Sequence, residues 1–207
     1  FPTRRSSDLL PDANMYAAWV EYFSPEERAQ MLPEDTAPKS PIAELYQKSP
    51  SDHPLDAMQQ TDLQSFLPSN LLAYGDAMSM RHSLELRLPL IDHRLVDAVG
   101  TLAPGLRVQD GMKTLLRAVA QKLLPTHIVD APKRGFNPPM GVWLKNDLAS
   151  MVKDRLTPER MADVGLAWEP IDQLLSEHHG SRRDHSLKVW ALLVLDTWRD
   201  SRRGSIN

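Results

Sequence analysis

Apolar residues recur at helical spacing along most of this chain, and this pattern predicts a mainly α-helical structure. No set of consecutive strands is predicted, because strict alternation of apolar and polar residues occurs in one short stretch only. The predicted helices cover, in order, two short segments within residues 10–32, and then residues 42–47, 57–66, 69–80, 92–99, 111–124, 141–156 and 187–198.

Several helix ends carry start signals. Ser24 is followed by Pro25 and Glu27, the arrangement of a capping box with proline at the first helical position. Ser69 is expected to cap the helix that follows Pro68, and Asp110 the helix that runs to Leu124.

The spacing also predicts which faces are buried. The helix at 187–198 is apolar on nearly every side and is expected to lie in the core. A buried side is predicted for the helix at 69–80, through Leu71, Leu72 and Met78, and for the helix at 111–124, through Leu115, Leu116, Val119, Leu123 and Leu124. Prolines mark a linker at 33–41 and a loop at 132–139.

The alternating stretch SLELRLPL, residues 83–90, places Glu85 between two leucines. A carboxylate beside leucines and a proline loses part of its hydration, which suits it to proton transfer. The non-catalytic alternative is an ion pair with Arg87 or Arg81 that fixes an extended segment. Structural ion pairs of this kind outnumber catalytic ones.

A second candidate is the loop APKRGF, which presents Lys133 and Arg134 next to Gly135. Two cations beside a glycine can reach phosphate oxygens, because the backbone can approach the ligand closely. An ordinary basic surface turn explains the same residues equally well.

Three further residues are weaker candidates. Lys113 and Arg117, four positions apart, would form an anion clamp on one helix, although a solvated helix face is the commoner reason for such spacing. Asp76 is a candidate for contact with a metal or a substrate amine, although an ordinary acidic residue at the surface is the commoner explanation.

Composition narrows the function classes. The 207 residues carry a net charge of −3, which argues against a nucleic-acid-binding scaffold. Cysteine is absent, which excludes disulfides, thiolate metal sites and a cysteine nucleophile in this stretch, and the seven histidines show no metal-ligand spacing. No apolar run is long enough for a membrane span, so the expected location is the cytoplasm.

The first nine residues are expected to be an artefact. FPTRRSSDL back-translates, codon by codon, to a common short-read sequencing adapter, and no initiator methionine is present. We therefore expect residues 1–9 to be foreign, residues 10–200 to be a gene fragment of one domain, and residues 201–207 to be a tail.

The motifs then resemble a known family. DLQSFLPSNLLAYGDAMSMRHSLELRLPLIDHRLVDA, at residues 62–98, is similar to the synthetase domain of glutamine-dependent asparagine synthetases. GMKTLLRAVAQKLLPTHIVDAPKRGFNPPMGVWL and VWALLVLDTW follow in the family's order. The resemblance implies the helical C-terminal portion of an α/β domain that binds ATP through a pyrophosphate loop, with most of the parallel sheet missing.

The resemblance also implies a chemistry. Aspartate is adenylated on its side-chain carboxylate by ATP with Mg²⁺, and glutamine-derived ammonia then displaces AMP to give asparagine. Glu85 matches the glutamate thought to assist the attack of ammonia, and Lys133 matches the lysine thought to hold phosphate oxygens. The other candidates, expected to bind substrate or ATP, are Asp76, Arg87, Lys113, Arg117, Arg134 and Gly135.

The chain departs from the family pattern in places. Ala77 stands where the family usually has arginine, which puts the role of Asp76 in doubt. The glutaminase cysteine, the Ser-Gly-Gly-x-Asp-Ser loop and the acidic glycine-rich segment are absent, and they are expected upstream of Leu10. The fragment alone is therefore expected to be inactive.

Two other functions stay open. One is a related amidotransferase or cyclase that acts on another carboxylate. The other is a non-catalytic helical interaction module. The expected partners are small molecules rather than nucleic acid or membrane, and a homodimer of the full-length protein is left open.

Overall fold

The computed structural model describes residues 12–33, 39–108, 113–132, 135 and 138–204. These residues form fourteen α-helices, one π-helix and one 3₁₀-helix, and they contain no strand, which confirms the predicted mainly helical class. None of the described helices combines the length and the apolar character that crossing a bilayer requires.

The chain divides into two compact units. The first comprises the described parts of residues 1–16 and 42–134, and the second those of 17–41 and 135–207. In chain order the α-helices are α1 (Ala13–Val20), α2 (Pro25–Met31), α3 (Pro41–Gln47), α4 (Pro54–Gln64), α5 (Ala73–Met80), α6 (His93–Gly100), α7 (Pro104–Val108), α8 (Thr114–Leu123), α9 (Thr126–Val129), α10 (Met140–Lys145), α11 (Ala149–Arg155), α12 (Pro158–Ala162), α13 (Trp168–His179) and α14 (Ser186–Gly204). The π-helix is Leu67–Leu72 and the 3₁₀-helix is Pro89–Ile91.

The predicted capping box at the start of α2 is confirmed. The Ser24 amide donates to Oε2 of Glu27 at 2.8 Å, and the Glu27 amide donates to the Ser24 hydroxyl at 3.2 Å. Lys188 of α14 also donates to the Glu27 carboxylate. The same glutamate therefore starts α2 and ties it to the last helix of the second unit.

The core of the second unit is built from α2, α10, α11, α12, α13 and α14. Its fully buried side chains include one from each of four of these helices, which is why the helices pack as one body. The cluster comprises Met31, Leu144, Val152, Leu156, Met161, Ile171, Leu174, Val189, Leu192 and Leu193.

A buried carboxylate joins three helices of this unit. Asp196 of α14 has no solvent-exposed surface. It accepts hydrogen bonds from Arg160 of α12 at 2.7 and 2.9 Å, from Arg155 of α11 at 3.2 Å, and lies 2.9 Å from Nη2 of Arg199. A buried charge is tolerated when it is paired and hydrogen-bonded, and this one meets both conditions.

Asp200, one turn along α14, extends the network. Arg155 and Arg160 each donate to it at 2.7 Å, and Arg199 at 3.1 Å. Hydrogen bonds from Arg160 and Arg199 lower the pKa of Asp200 to about 2. Burial acts to raise the pKa of Asp196, but the hydrogen bonds from Arg160 and Arg155 outweigh it and lower that pKa below its usual value.

The first unit has a sparser core. Its buried side chains are mostly small or polar, among them Ala57 and Thr61 of α4. Arg107 of α7 is buried and donates to Asp56 and Gln59, so that α7 is joined to α4 by charge and amide groups. The hydrogen bonds from Arg107 lower the pKa of Asp56.

Large apolar side chains of the first unit face solvent, contrary to the predicted buried faces. On α8, Val119 is 56% and Leu123 75% exposed, and Leu115, Leu116 and Leu124 are also exposed. Leu71 and Met78 are exposed as well, whereas Leu72 is half-buried. The sequence pattern correctly predicts which side of each helix is apolar. No described residue of this chain covers these sides.

Helix bounds differ from the prediction at several points. Ser69 lies inside the π-helix and does not cap a helix, because helical geometry continues from Phe66 into α5. Residues 141–156 form two helices rather than one, with a break at Asn146 where both its φ and ψ leave the helical region. Asp110 lies outside the described residues.

Helix α14 is amphipathic, and the prediction that it is buried on nearly every side was wrong. Val189 and Leu192 are buried, whereas Val194 is 52% and Trp198 55% exposed. The short helices α7, α9 and α12 and the longer α13 were not predicted.

We predict that Asp196→Ala destabilises the second unit by about 3 kcal/mol, the lower end of the range for breaking a buried pair, because Asp200 still partners Arg155 and Arg160. Urea unfolding followed by tryptophan fluorescence measures this, since all five tryptophans belong to the second unit. The control Asp154→Ala removes an exposed acid and should leave the midpoint unchanged. Equal midpoints for wild type and Asp196→Ala contradict the structural role.

Acid stability gives a second prediction. The pKa values of Asp196 and Asp200 lie below those of the unfolded chain, near 3.9. Their contribution is therefore fully present above about pH 4 and is lost as the pH falls towards 2. Asp200→Asn should flatten the decline of the thermal midpoint between pH 5 and about pH 2.5, and Asp154→Asn should not. An identical slope for wild type and Asp200→Asn rules out the coupling.

Candidate functional site

The predicted acid lies on a segment that turns back after α5. The chain leaves α5 at Met80 and reverses through Ser83, whose φ of 57° is left-handed. The Leu84 amide closes the turn by donating to the Ser79 carbonyl at 3.0 Å. Residues 84–88 then continue without regular hydrogen bonding.

A leucine–glycine contact sets the position of this segment. A Cβ placed on Gly75 of α5 would stand 2.7 Å from Cδ2 of Leu86, so Leu86 occupies the space that a side chain at 75 would take. Glycine permits this close approach, and a side chain at 75 would force the Leu86 methyl to move. Glu85 and Arg87 stand on either side of Leu86 in the sequence and pair with each other.

Glu85 is paired with Arg87 at the surface. Oε1 of Glu85 lies 2.8 Å from Nη2 of Arg87, and the two side chains are 68% and 81% exposed. The loss of hydration expected for Glu85 is therefore not seen in this chain, and the ion pair weighed as its alternative is present. A role of Glu85 in proton transfer stays a prediction.

Asp76 directly follows the glycine on which Leu86 packs. It is exposed, as is Ala77, and its backbone carbonyl accepts a hydrogen bond from Ser79 at 3.2 Å. The structure thus places Asp76 on the helix that supports the Glu85 segment. Its contact with a substrate stays a prediction.

Lys113 and Arg117 do not share a helix face. Lys113 has a left-handed backbone, with φ of 63°, and precedes α8, which begins at Thr114. Nη1 of Arg117 donates to the carbonyl of Val129, the last residue of α9, at 3.0 Å. A cation at the C-terminus of a helix satisfies an otherwise free carbonyl, so Arg117 has a structural task in this chain.

The loop expected to bind phosphate is described only in part. Lys133 and Arg134 lie outside the described residues, while Gly135 is exposed and belongs to no helix. The roles expected for Lys133 and Arg134 therefore stay predictions.

Across residues 12–33, 39–108, 113–132, 135 and 138–204, no group of three His, Asp or Glu side chains could hold a metal ion. The Mg²⁺ implied by the family resemblance stays a prediction.

Sequence reasoning passed over one cavity in the second unit. It lies beside α10 and the loop between α13 and α14, and its lining includes Lys145, His178 and Arg183. These residues are far apart in sequence, and no spacing pattern in the sequence links them. Only the packing of α10 against α14 brings them together.

The comparisons with known proteins agree on one family. The family model described as asparagine synthase matches residues 3–200. Asparagine synthetase [glutamine-hydrolyzing] 1 of Bacillus subtilis (strain 168) is 30% identical over 154 residues, which cover 74% of this chain and 24% of that protein. A putative asparagine synthetase [glutamine-hydrolyzing] of Mycobacterium bovis is 27% identical over 184 residues, covering 85% of this chain and 28% of that protein.

A more distant relative carries a different name. Amidase chyE of Penicillium rubens is 27% identical over 121 residues, covering 55% of this chain and 18% of that protein. No solved structure matches. The chain spans about a quarter of the length of the asparagine synthetases that it resembles.

The family match extends over the helices of both units and includes the segment that carries Glu85 as well as the loop that carries Lys133. The motifs, their order and this match show that the chain belongs to the asparagine synthase family.

Proposed function

We propose that this chain is part of an ATP-dependent ligase that converts aspartate to asparagine, with glutamine as the source of ammonia. The observation that carries the proposal is the family match over residues 3–200, supported by the similarity to glutamine-hydrolysing asparagine synthetases. The expected cytoplasmic location belongs to the same proposal.

The proposed reaction has two steps. A side-chain carboxylate oxygen of aspartate attacks the α-phosphorus of ATP, and pyrophosphate leaves. Ammonia then attacks the acyl carbon of β-aspartyl-AMP, the bond to AMP breaks, and the nitrogen loses a proton. An ATP-bound magnesium ion would supply charge neutralisation on the phosphates.

Glu85 and Lys133 have separate tasks in this scheme. Glu85 accepts the proton that the attacking nitrogen loses, and the Leu86–Gly75 contact holds it in place. Lys133 balances the negative charge that develops on the phosphate oxygens. Arg87 holds the Glu85 carboxylate until substrate enters. Asp76, Lys113, Arg134 and Gly135 are proposed to contact substrate or ATP.

The exposed apolar faces of the first unit support placement within a larger domain. Exposed patches of this extent mark surfaces that bind another protein part. We propose that a sheet of the synthetase domain covers α8 and the Glu85 segment in the whole protein. Covering the segment would remove water from Glu85 and so bring about the dehydration that proton transfer favours.

A second candidate function is amide formation on another carboxylate. Its support is that amidase chyE, which is similar over more than half of this chain, is named for amide chemistry and not for asparagine. Pyrophosphate release measured with a panel of carboxylic acids separates it from the first candidate, because only aspartate should respond in an asparagine synthetase.

We predict that the 207-residue chain alone forms neither asparagine nor pyrophosphate from aspartate, ATP, Mg²⁺ and ammonium. The reason is that its sequence contains no two adjacent glycines, and hence no Gly-Gly loop of the kind that grips pyrophosphate. Amino-acid analysis and a pyrophosphate assay measure the two products. Asparagine formed by the purified chain contradicts this prediction.

The catalytic assignments are tested in a chimera in which residues 10–200 replace the matching quarter of the Bacillus subtilis enzyme. We predict that Glu85→Gln and Lys133→Ala each reduce asparagine formation by about 100-fold or more. The matched controls Glu44→Gln and Lys122→Ala, also in the first unit, should retain activity.

Stability measurements on the same variants separate chemistry from folding. The Glu85–Arg87 pair is highly exposed, so Glu85→Gln should change the free energy of unfolding by less than about 0.5 kcal/mol. A large loss of stability with proportional loss of activity would point to a structural ion pair. Full activity of both site variants would contradict the roles assigned to Glu85 and Lys133.

A further inference from the structure

The segment that carries Glu85 is an exposed stretch of five residues, 84–88, that belongs to no helix. The ion pair between Glu85 and Arg87 joins side chains two positions apart, which an extended backbone allows and a helix does not. In an extended chain the N–H and C=O of one residue point to one edge, and those of its neighbours point to the opposite edge. The segment therefore has an even edge, formed by Leu84, Leu86 and Leu88, and an odd edge, formed by Glu85 and Arg87.

The chain itself uses only the even edge. The Leu84 amide donates to the Ser79 carbonyl at 3.0 Å, and the Leu88 carbonyl accepts from the Ile91 amide at 3.1 Å. The backbone groups of the odd edge have no hydrogen bond to any residue that the structure describes. An unpaired edge of this kind is a template on which another strand can be added.

The two ends of the segment limit the length of such a strand. Ser83, on one side, has a left-handed backbone with a φ of 57°. Pro89, on the other, begins the 3₁₀-helix and has no amide hydrogen to donate. An added strand can therefore pair along residues 84–88 and no further.

The sequence of the segment is complementary to itself. Leu-Glu-Leu-Arg-Leu has its acid and its base at equal distances from the central leucine. A second copy placed antiparallel and centred on Leu86 therefore opposes Glu85 of one chain to Arg87 of the other, twice. The same register opposes Leu84 to Leu88, and Leu86 to its own equivalent. Opposite charges and apolar pairs are the cross-strand pairs that stabilise a sheet.

Other registers are unfavourable. A shift of two residues opposes like charges, either Glu85 to Glu85 or Arg87 to Arg87. A shift of one residue opposes leucines to charged side chains. A parallel pair in register places each charge beside its equivalent. The antiparallel register centred on Leu86 is thus the one in which every opposed pair is favourable.

We propose that two copies of this chain associate through residues 84–88 as an antiparallel pair of strands. Glu85 of each copy exchanges both backbone hydrogen bonds with Arg87 of the other, so the odd edges satisfy each other. The charged side chains then alternate in sign around the two-fold axis, and the leucines meet on the face that packs on α5. The sheet proposed above would cover the same segment, so we expect this pairing of the present chain and not of the whole protein.

Charge reversal tests the pairing in the complete 207-residue chain, with sedimentation velocity at a series of concentrations. We expect a dimer, and we expect Glu85→Arg and Arg87→Glu each to weaken it about tenfold or more, because each opposes like charges twice. The double variant Glu85→Arg/Arg87→Glu restores the opposed pairs and should dimerise as wild type does. A mixture of the two single variants should form a mixed dimer.

The fold and the net charge are controlled separately. The Glu85–Arg87 pair is highly exposed, so the far-UV circular dichroism of the variants should match that of wild type. The matched controls Glu44→Arg and Lys122→Glu change the charge of exposed residues in the same unit by the same amounts and should leave dimerisation unchanged. Failure of the double variant to dimerise contradicts the charge pairing.

Hydrogen exchange reports which backbone edge is used. The amides of Glu85 and Arg87 should become protected when the dimer forms. The amide of Leu86 points to the even edge and should not gain protection. This alternation separates strand pairing from association through exposed apolar side chains.

A single introduced cysteine reports the register, because the chain contains none. At the centre of the pair the two Leu86 Cα atoms would lie about 4.5 Å apart, a distance that a disulfide spans. Leu86→Cys should therefore cross-link two copies under mild oxidation. The control Leu84→Cys should not, because its two equivalent positions would lie roughly 13 Å apart along the strands.

Several outcomes overturn the proposal. One is a chain that stays monomeric at every concentration. Weakening by Glu44→Arg equal to that by Glu85→Arg reduces the effect to net charge. Association without protection of the Glu85 and Arg87 amides places the contact on another surface, and equal cross-linking of Leu84→Cys and Leu86→Cys contradicts the register. None of these readouts depends on asparagine synthesis, so failure here leaves the proposed function untouched.

Discussion

The structure of the second unit depends on the buried carboxylate of Asp196. This side chain lies within the apolar stripe of α14, beside Leu192 and Leu193, and water cannot reach it. A single charge in that position would be strongly unfavourable. Its charge is neutralised by Arg155, Arg160 and Arg199. Arg155 of α11 and Arg160 of α12 are thereby held against the last helix. The orientation of α11 and α12 on α14 follows from satisfying one acid, with Asp200 sharing the same donors.

The two units bury their side chains in different ways. The second has large aliphatic residues in its core, whereas the first buries alanines, a threonine and an arginine and leaves leucines in solvent. Apolar area removed from water is the main favourable term in folding. The first unit therefore buries less apolar area, and hydrogen bonds between distant residues, such as those from Arg107 to α4, contribute more to its cohesion. The residues expected to do chemistry lie on this unit.

Local features of the fold could be read from the sequence because their causes are local. The capping box of Ser24 and Glu27 involves residues within three positions of one another, and the helix predicted at 92–99 forms as α6. The apolar side of α8 was also recognised. Its burial was not predictable, because periodicity shows which side is apolar but not whether the same chain provides a cover.

Features that depend on distant residues were not predictable. In the sequence Asp196 interrupts an apolar run, and two of its three arginine partners lie 36 and 41 positions away. The pair of Glu85 with Arg87 could be weighed from spacing alone, whereas the commitment of Arg117 to the end of α9 could not. The cavity at His178 likewise depends on a tertiary arrangement that joins residues from three helices.

The contact between Leu86 and Gly75 has a consequence for the register of the segment that carries Glu85. The missing side chain at 75 leaves a small recess on α5, which an aliphatic group fills and a charged group does not. A slip of one residue would bring Glu85 or Arg87 to that recess and reverse the direction of every side chain from 84 to 88. The glycine of α5 thus favours the register in which Leu86 meets the helix and Glu85 pairs with Arg87.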